Sequence, residues 1–278
     1  MACAAALMCF NFIGAQAADL QSDMPAPASA FSDGLGGEWV VTVGALVGST
    51  PLFPGSKTET LTAFPVIDIH RPGAIEWLSL PTDAFSITLY NTENFRIGAA
   101  GDFLLDRNSK DTSDVKGLAS INYTAELGAF AEYYPTPYLR ARAELLQGVT
   151  GADGLEARLK ADFIYRPVPQ WIFTAGPRLQ FVNTQYASTF FSVTNSESSL
   201  SGLPVFHASG GIGSAGVDAT ARYYVSDNLS LRAFVDWERL TGDPGDSPIV
   251  KYRGSEDQVS FGVGAAIRFN YPLRSFKD

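Results

Sequence analysis

The sequence predicts an all-β fold, a transmembrane antiparallel up-and-down β-barrel of about twelve strands, with ten to fourteen as the range. Three observations carry this prediction. Apolar and polar residues alternate with period two. The alternating stretches run to about eleven residues, which suits a tilted strand crossing a bilayer and is about twice the usual globular strand. Short turns and long polar connections take turns along the chain, as they do in outer-membrane barrels.

The first residues hold an apolar stretch, Ala4 to Ile13, followed by the small-x-small site Ala15-Gln16-Ala17. Residues 1–18 are therefore expected to be a signal peptide removed on export, although no Lys or Arg precedes the apolar stretch. Both cysteines, Cys3 and Cys9, lie in this segment. The mature chain then has no thiol for a disulfide, a metal site or a nucleophile. Residues 19–37, rich in Ala, Ser, Pro and Gly, are expected to form a flexible periplasmic leader. The barrel is expected over 38–269, with 270–278 as a C-terminal tail.

Twelve strands are predicted at 38–48, 61–70, 74–80, 84–91, 94–105, 118–134, 138–148, 155–166, 171–183, 217–225, 229–240 and 257–269. In the eighth, Leu155, Ala157, Leu159, Ala161, Phe163 and Tyr165 share one face, and Glu156, Arg158, Lys160, Asp162 and Arg166 the other. Hydrocarbon on one face and charges of both signs on the opposite face fit a lipid-facing exterior and a polar lumen. Tight turns fall at His70–Gly73, Thr92-Glu93, Pro135–Pro137, Pro167–Gln170 and Ser226–Asn228, with long connections at 49–60, 106–117, 149–154, 184–216 and 241–256. This arrangement puts both termini on the periplasmic side. Trp39, Trp77, Tyr133, Tyr134, Tyr138, Tyr165, Trp171, Tyr223, Tyr224 and Trp237 lie near strand ends, as interfacial girdles require.

Composition narrows the function. Hydrophobic residues make up 46% of the chain, yet mean hydropathy is only +0.03, because apolar positions are dispersed and not gathered into helical spans. A net charge of −9 argues against a nucleic-acid partner, which requires a basic face.

Three patterns resemble chemical motifs. Gly211-Ile212-Gly213-Ser214-Ala215-Gly216 spells a dinucleotide fingerprint, but the alternation that follows is a strand and not a helix, so the stretch is expected to be a flexible loop. His207 and Ser209 have the residue types of a Ser-His pair but sit two apart in a Gly-rich loop, and neither they nor His70 shows metal-ligand spacing. Asp236 and Glu238 share a strand face with carboxylates about 7 Å apart, within the range used in glycoside hydrolysis.

The competing account is a structural charge network across the lumen, because charges removed from water must be paired. Its predicted members are Glu126, Arg140, Arg142, Arg158, Lys160, Asp162, Arg222, Arg232, Asp236, Glu238 and Arg268. No catalytic residue, metal or cofactor is assigned.

Several stretches together resemble a known family. They are Pro54-Gly55-Ser56, Phe64-Pro65-Val66-Ile67-Asp68, Gly117-Leu118 and Thr124 to Phe130, then Tyr186 with Phe190 to Val193, Gly211 to Val217, Arg239-Leu240, Asp246 to Val250 and Val259 to Phe269. In order and spacing these resemble the MipA/OmpV family of outer-membrane proteins, named for a scaffold that binds a lytic transglycosylase. The sequence departs from the family in Phe190-Phe191, where Tyr-Phe-Gly is more typical, and in continuing past Phe269.

The resemblance implies localisation in the Gram-negative outer membrane, insertion by the barrel-assembly machinery, contact with outer-membrane lipid, and tethering of a murein-remodelling enzyme. Alternatives are a small-solute channel, an adhesin or stress-related barrel, and an outer-membrane lipid hydrolase. A lumen carrying both charge signs favours the closed scaffold over a selective pore.

Overall fold

A computed structural model describes residues 37–73, 75–108 and 112–273. The predicted signal peptide and leader lie outside the described residues, apart from Gly37. Eleven described strands close into one barrel: β1 (Gly37–Pro51), β2 (Glu59–His70), β3 (Phe85–Asn91), β4 (Phe95–Leu104), β5 (Thr124–Thr136), β6 (Leu139–Gly148), β7 (Gly154–Tyr165), β8 (Trp171–Val182), β9 (Gly211–Tyr224), β10 (Leu229–Leu240) and β11 (Asp257–Leu273). Sequential strands are neighbours, and β1 pairs with β11 along thirteen positions, Gly37↔Leu273 to Ser49↔Phe261, to complete the ring.

Alternation places the two residue classes as expected. In β6, Arg140, Arg142 and Glu144 are buried inward while Leu139 and Leu145 are exposed outward. Around the wall Val47, Ile97, Leu127, Phe163, Leu231 and Val263 are exposed, whereas Arg96, Arg140 and Glu132 are almost fully buried. A water-soluble protein has the reverse distribution, and only a lipid surround makes this exterior favourable.

The count among the described residues is eleven instead of twelve because, of the predicted strand 74–80, residues 75–80 do not form a strand. After β2 the chain turns into the lumen, and residues 75–84 run inside the barrel before β3 begins. The chain therefore re-enters the wall in the direction of β2, and β2 and β3 pair in parallel, through Asp68↔Ser86 and Ile69↔Ile87. Every other pair is antiparallel. Trp77 and Leu78 carry apolar side chains that suited a strand, but their polar neighbours in space are the lumen arginines, which take up the segment's backbone groups.

Other boundaries also move. Gly211–Gly216 opens β9 and is not a loop, and β11 continues past Phe269 to Leu273. The connection 183–210 folds into two helices, α1 (Thr184–Phe191) and α2 (Asn195–Ser201), before β9 starts. Helix α2 is held by a capping box between Thr194 and Glu197 and ends at Gly202, whose φ of 77° lies in the left-handed region that glycine adopts without strain. Two further short helices, α3 (Gly242–Asp246) and α4 (Pro248–Arg253), occupy the connection between β10 and β11.

Aromatic residues divide between the interfaces and the interior. Tyr133, Tyr138, Tyr165, Trp171 and Trp237 are exposed on the wall, and Trp171 stacks on Phe173 with ring centroids 5.2 Å apart. Trp77 and Tyr134 are buried in the interior and do not join a girdle, whereas Trp39 lies on the outward face of β1 with the Arg71 guanidinium over its ring at 4.9 Å.

Candidate functional site

The lumen has three levels. At the end with the short turns lies the inserted segment 75–84. Its backbone is reached from strands around the circumference. Arg96 of β4 donates to the Leu78 carbonyl at 3.2 Å, and the Tyr134 hydroxyl of β5 accepts from the Leu78 N–H at 2.9 Å. From β6, Arg142 donates to the Ala84 carbonyl at 3.3 Å and Glu144 accepts from the Ala84 N–H at 3.0 Å. Lys160 of β7 donates to the Thr82 carbonyl at 2.6 Å. Arg222 of β9 and Arg232 of β10 both donate to the Ser79 carbonyl, at 2.6 and 2.8 Å. An irregular backbone is tolerated at membrane depth only when such partners satisfy it.

Carboxylates balance these cations. Arg140 reaches Asp83 at 2.5 Å, Asp162 at 2.7 Å and Glu132 at 2.8 Å, and so clamps the segment to β5 and β7 together. Glu132 also accepts from Arg96 and Arg142 at 3.0 Å each. Asp68 binds Arg96 at 3.0 Å and His70 at 2.8 Å, and Arg178 bridges Asp162 and Asp218 at 2.6 and 2.8 Å. Trp77 and Phe130 lie against the Arg96 guanidinium, 5.1 and 5.4 Å from ring centroid to cation. Each of these charged groups taken from water meets an opposite charge or a carbonyl at this level of the lumen, which offsets the several kcal/mol its dehydration costs.

At the opposite end the long connections fold into a lid. Tyr186, Phe190 and Phe191 from α1, Val250 from α4, Ile121 and Leu240 form one apolar cluster, and Phe53, Val115, Leu118, Val193, Leu203 and Ile249 a second. The buried Arg107 side chain donates to the Phe190 carbonyl at 2.6 Å, and burial lowers its pKa from 12.5 to about 10. Arg253 of α4 donates to the carbonyls of Lys116 at 3.0 Å, Asp114 at 3.2 Å and Ser201, knitting three connections.

Between lid and inserted segment lies a cavity of about 470 Å³. Arg158 projects into it and pairs with Asp102 at 2.5 Å, Glu126 at 3.4 Å and Glu156. Asp236 and Glu238 also line it, and the two stand apart from the ion-pair network. Ser214 donates to Glu238, while Asp236 Oδ1 is fully buried with no hydrogen-bond partner among the described residues.

The structure thus gathers Glu126, Arg140, Arg142, Arg158, Lys160, Asp162, Arg222 and Arg232 inside the barrel. Arg268 sits apart at the short-turn rim, 40% exposed and 3.7 Å from Glu76. The predicted network left out Asp68, Asp83, Arg96, Glu132, Glu144 and Arg178. Arg96, Glu132, Glu144 and Arg178 occupy polar positions of alternating strands and carried the signal that marked the others. Asp83 sits in an irregular segment, where no periodicity could mark it. His207 and Ser209 are both exposed in the lid, no hydrogen bond joins them, and the Ser209 N–H donates to Asp243 at 2.7 Å. No cluster of metal-ligand type occurs among the described residues.

A wall apolar to lipid, a lumen crossed by a segment of its own chain and a folded lid define an outer-membrane β-barrel. The chain belongs to a family within that class: the family described as MltA-interacting protein MipA matches residues 43–269. No curated protein matches the sequence.

Among solved structures the chain is similar to an outer-membrane channel from Pseudomonas putida F1, with 11% identity, 91% of this chain and 100% of the other covered, and a TM-score of 0.43. It is also similar to the NanC porin, with 10% identity, coverage of 82% and 98%, and a TM-score of 0.37. A third similar structure is the Pseudomonas putida toluene transporter TodX, with 10% identity, coverage of 87% and 90%, and a TM-score of 0.33. These likenesses are too distant to transfer a ligand or a transport role.

Proposed function

We propose that this chain is a closed scaffold barrel that holds a murein-remodelling enzyme at the inner face of the outer membrane. The observation that carries the reading is the segment 75–84, fastened across the lumen from six strands by hydrogen bonds, five of them from Arg or Lys side chains. A barrel whose lumen is filled in this way is a poor conduit and a rigid platform. Its short turns, at 92–94, 137–138, 166–170 and 225–228, face the periplasm if the long connections face outward, as in this class. The family's description as an MltA-interacting protein supports an enzyme partner at that face.

The test is photo-crosslinking in the cell envelope from Tyr138 and Val168, which are exposed at the short-turn rim, against Leu200 and Tyr252, which are exposed on the lid. Crosslinks from the rim to a lytic transglycosylase are expected. Crosslinks only from the lid, or none to any murein enzyme, would remove the scaffold role. Steady stepwise currents from the refolded protein in a planar bilayer would instead make it a small-solute channel.

A further inference from the structure

The wall of the barrel is not fully hydrogen-bonded. Strand β2 pairs with β1 along its whole length, but on its other edge only Asp68 and Ile69 meet β3. Residues Glu59–Val66 have no strand partner on that side. Strand β3 starts opposite Gly101, so Asp102, Phe103 and Leu104 at the end of β4 pair with β5 alone. At about 3.3 Å per residue, the eight unpaired residues of β2 leave about 26 Å of open edge, comparable with the apolar band of such a barrel.

Open sheet edges are not stable against hydrocarbon unless something satisfies their backbone groups. Pro65, which has no N–H to leave unpaired, lies within this edge. The central cavity extends to the opening: Ala63 and Pro65 on one lip and Phe103 on the other line it, and Phe103 is also 66% exposed to the lipid side.

Inside the opening the walls have two characters. Phe64 packs edge-on against Phe234 at 5.1 Å, and Phe85 lies 5.7 Å from Phe103, giving an aromatic side. On the other side stand Asp236 and Glu238. The nearby cations are committed elsewhere: Arg158 to Asp102, Glu126 and Glu156, Lys160 to Glu144 and Asp83, and Arg178 to Asp162 and Asp218. The buried Asp236 Oδ1 thus lacks a donor in a cavity that opens toward lipid.

We infer that the gap between β2 and β4 is a lateral portal from the outer leaflet, and that the cavity behind it binds a small amphipathic cation, its apolar body against the phenylalanines and its protonated amine on Asp236 and Glu238. This site is independent of the periplasmic scaffold role, and either can fail without the other.

The probe is dansyl-labelled 1,8-diaminooctane, added to the refolded full chain in detergent and then in phosphatidylcholine vesicles. One saturable site is expected, displaced by octylamine but not by octanol or octanoate. Affinity should fall about tenfold or more in Glu238→Gln and in Asp236→Asn, the loss expected when a charge-assisted partner is removed. Each variant's fold is checked by the faster gel migration of the unheated barrel.

For the portal, Cys3 and Cys9 are replaced by Ser, and Ala63→Cys and Phe103→Cys are joined by a reducible linker. Uptake from vesicles should slow on linking and recover on reduction, while this double variant, weakened by the loss of the Phe103 ring, has the same equilibrium affinity in detergent in its linked and reduced states. The proposal is overturned by the absence of a saturable site, by octanoate competing as well as octylamine, by unchanged affinity in both carboxylate variants, by failure of the two lips to link, or by an uptake rate that ignores the linker.

Discussion

Replacing Arg140 by Ala tests whether the lumen network holds the barrel closed. The side chain is fully buried and donates to three carboxylates, Asp83 at 2.5 Å, Asp162 at 2.7 Å and Glu132 at 2.8 Å. Charge-assisted bonds of this kind contribute about 1.5–3 kcal/mol each, but they are not additive here, because all three acceptors retain other cations. Glu132 keeps Arg96 and Arg142, Asp162 keeps Arg178, and Asp83 keeps Lys160 at 3.4 Å. The loss should therefore match that of one partner leaving a buried ion pair, about 3–5 kcal/mol.

Arg140→Lys keeps the charge but cannot fork to three acceptors, so it should lose less, on the order of half as much. Urea unfolding in detergent micelles followed by tryptophan fluorescence reads both, with a lower midpoint and an unchanged slope. A loss below about 1 kcal/mol for Arg140→Ala, the level of an exposed pair, would show that water already screens this site and would refute the filled lumen.

Three further outcomes follow from the same geometry. The double variant Arg222→Ala with Arg232→Ala removes both donors to the Ser79 carbonyl and should convert a silent bilayer into one with stepwise currents; continued silence would mean that the inserted segment does not depend on them. Phe191→Ala empties a site that is 2% exposed in the lid and should cost about 3–5 kcal/mol locally, seen as faster proteolysis within 195–205 while the barrel's urea midpoint stays put. Burial works to raise the Glu197 pKa, but hydrogen bonds from the backbone N–H groups of Ala119 and Thr194 and from the Thr194 hydroxyl outweigh it and hold the value below 4.5. Its stabilisation of α2 is thus present above pH 4.5 and lost as pH falls through the lowered value, so amide exchange in α2 should accelerate only in acid, and equal protection at pH 3 and pH 6 would exclude this role.

The period-two pattern, together with strand length and the rhythm of short and long connections, specified a barrel wall. In β6 and β7 the sequence states which side chain faces lipid and which faces the lumen, because a pleated strand has only two faces and the bilayer accepts only one class of residue. Local turn chemistry likewise marked the reversals at 92–94, 137–138, 166–170 and 225–228, whereas the expected turn at His70–Gly73 leads the chain into the lumen and does not reverse it along the wall. Residues 74–80 show the limit of that reasoning. Trp77, Leu78 and Leu80 suit a strand locally, and only the closed barrel brings Arg96, Arg222 and Arg232 close enough to take up the segment's carbonyls and hold it inside.

The lone parallel pair, the eleventh rather than twelfth strand and the open edge of β2 all follow from that one tertiary preference. The same holds for Asp236 and Glu238. Alternation placed them on the lumen face, and only the three-dimensional arrangement determined that the neighbouring cations are spent on other carboxylates. Face is a property of a residue and its strand, while partnership depends on which strands the closed ring sets opposite one another.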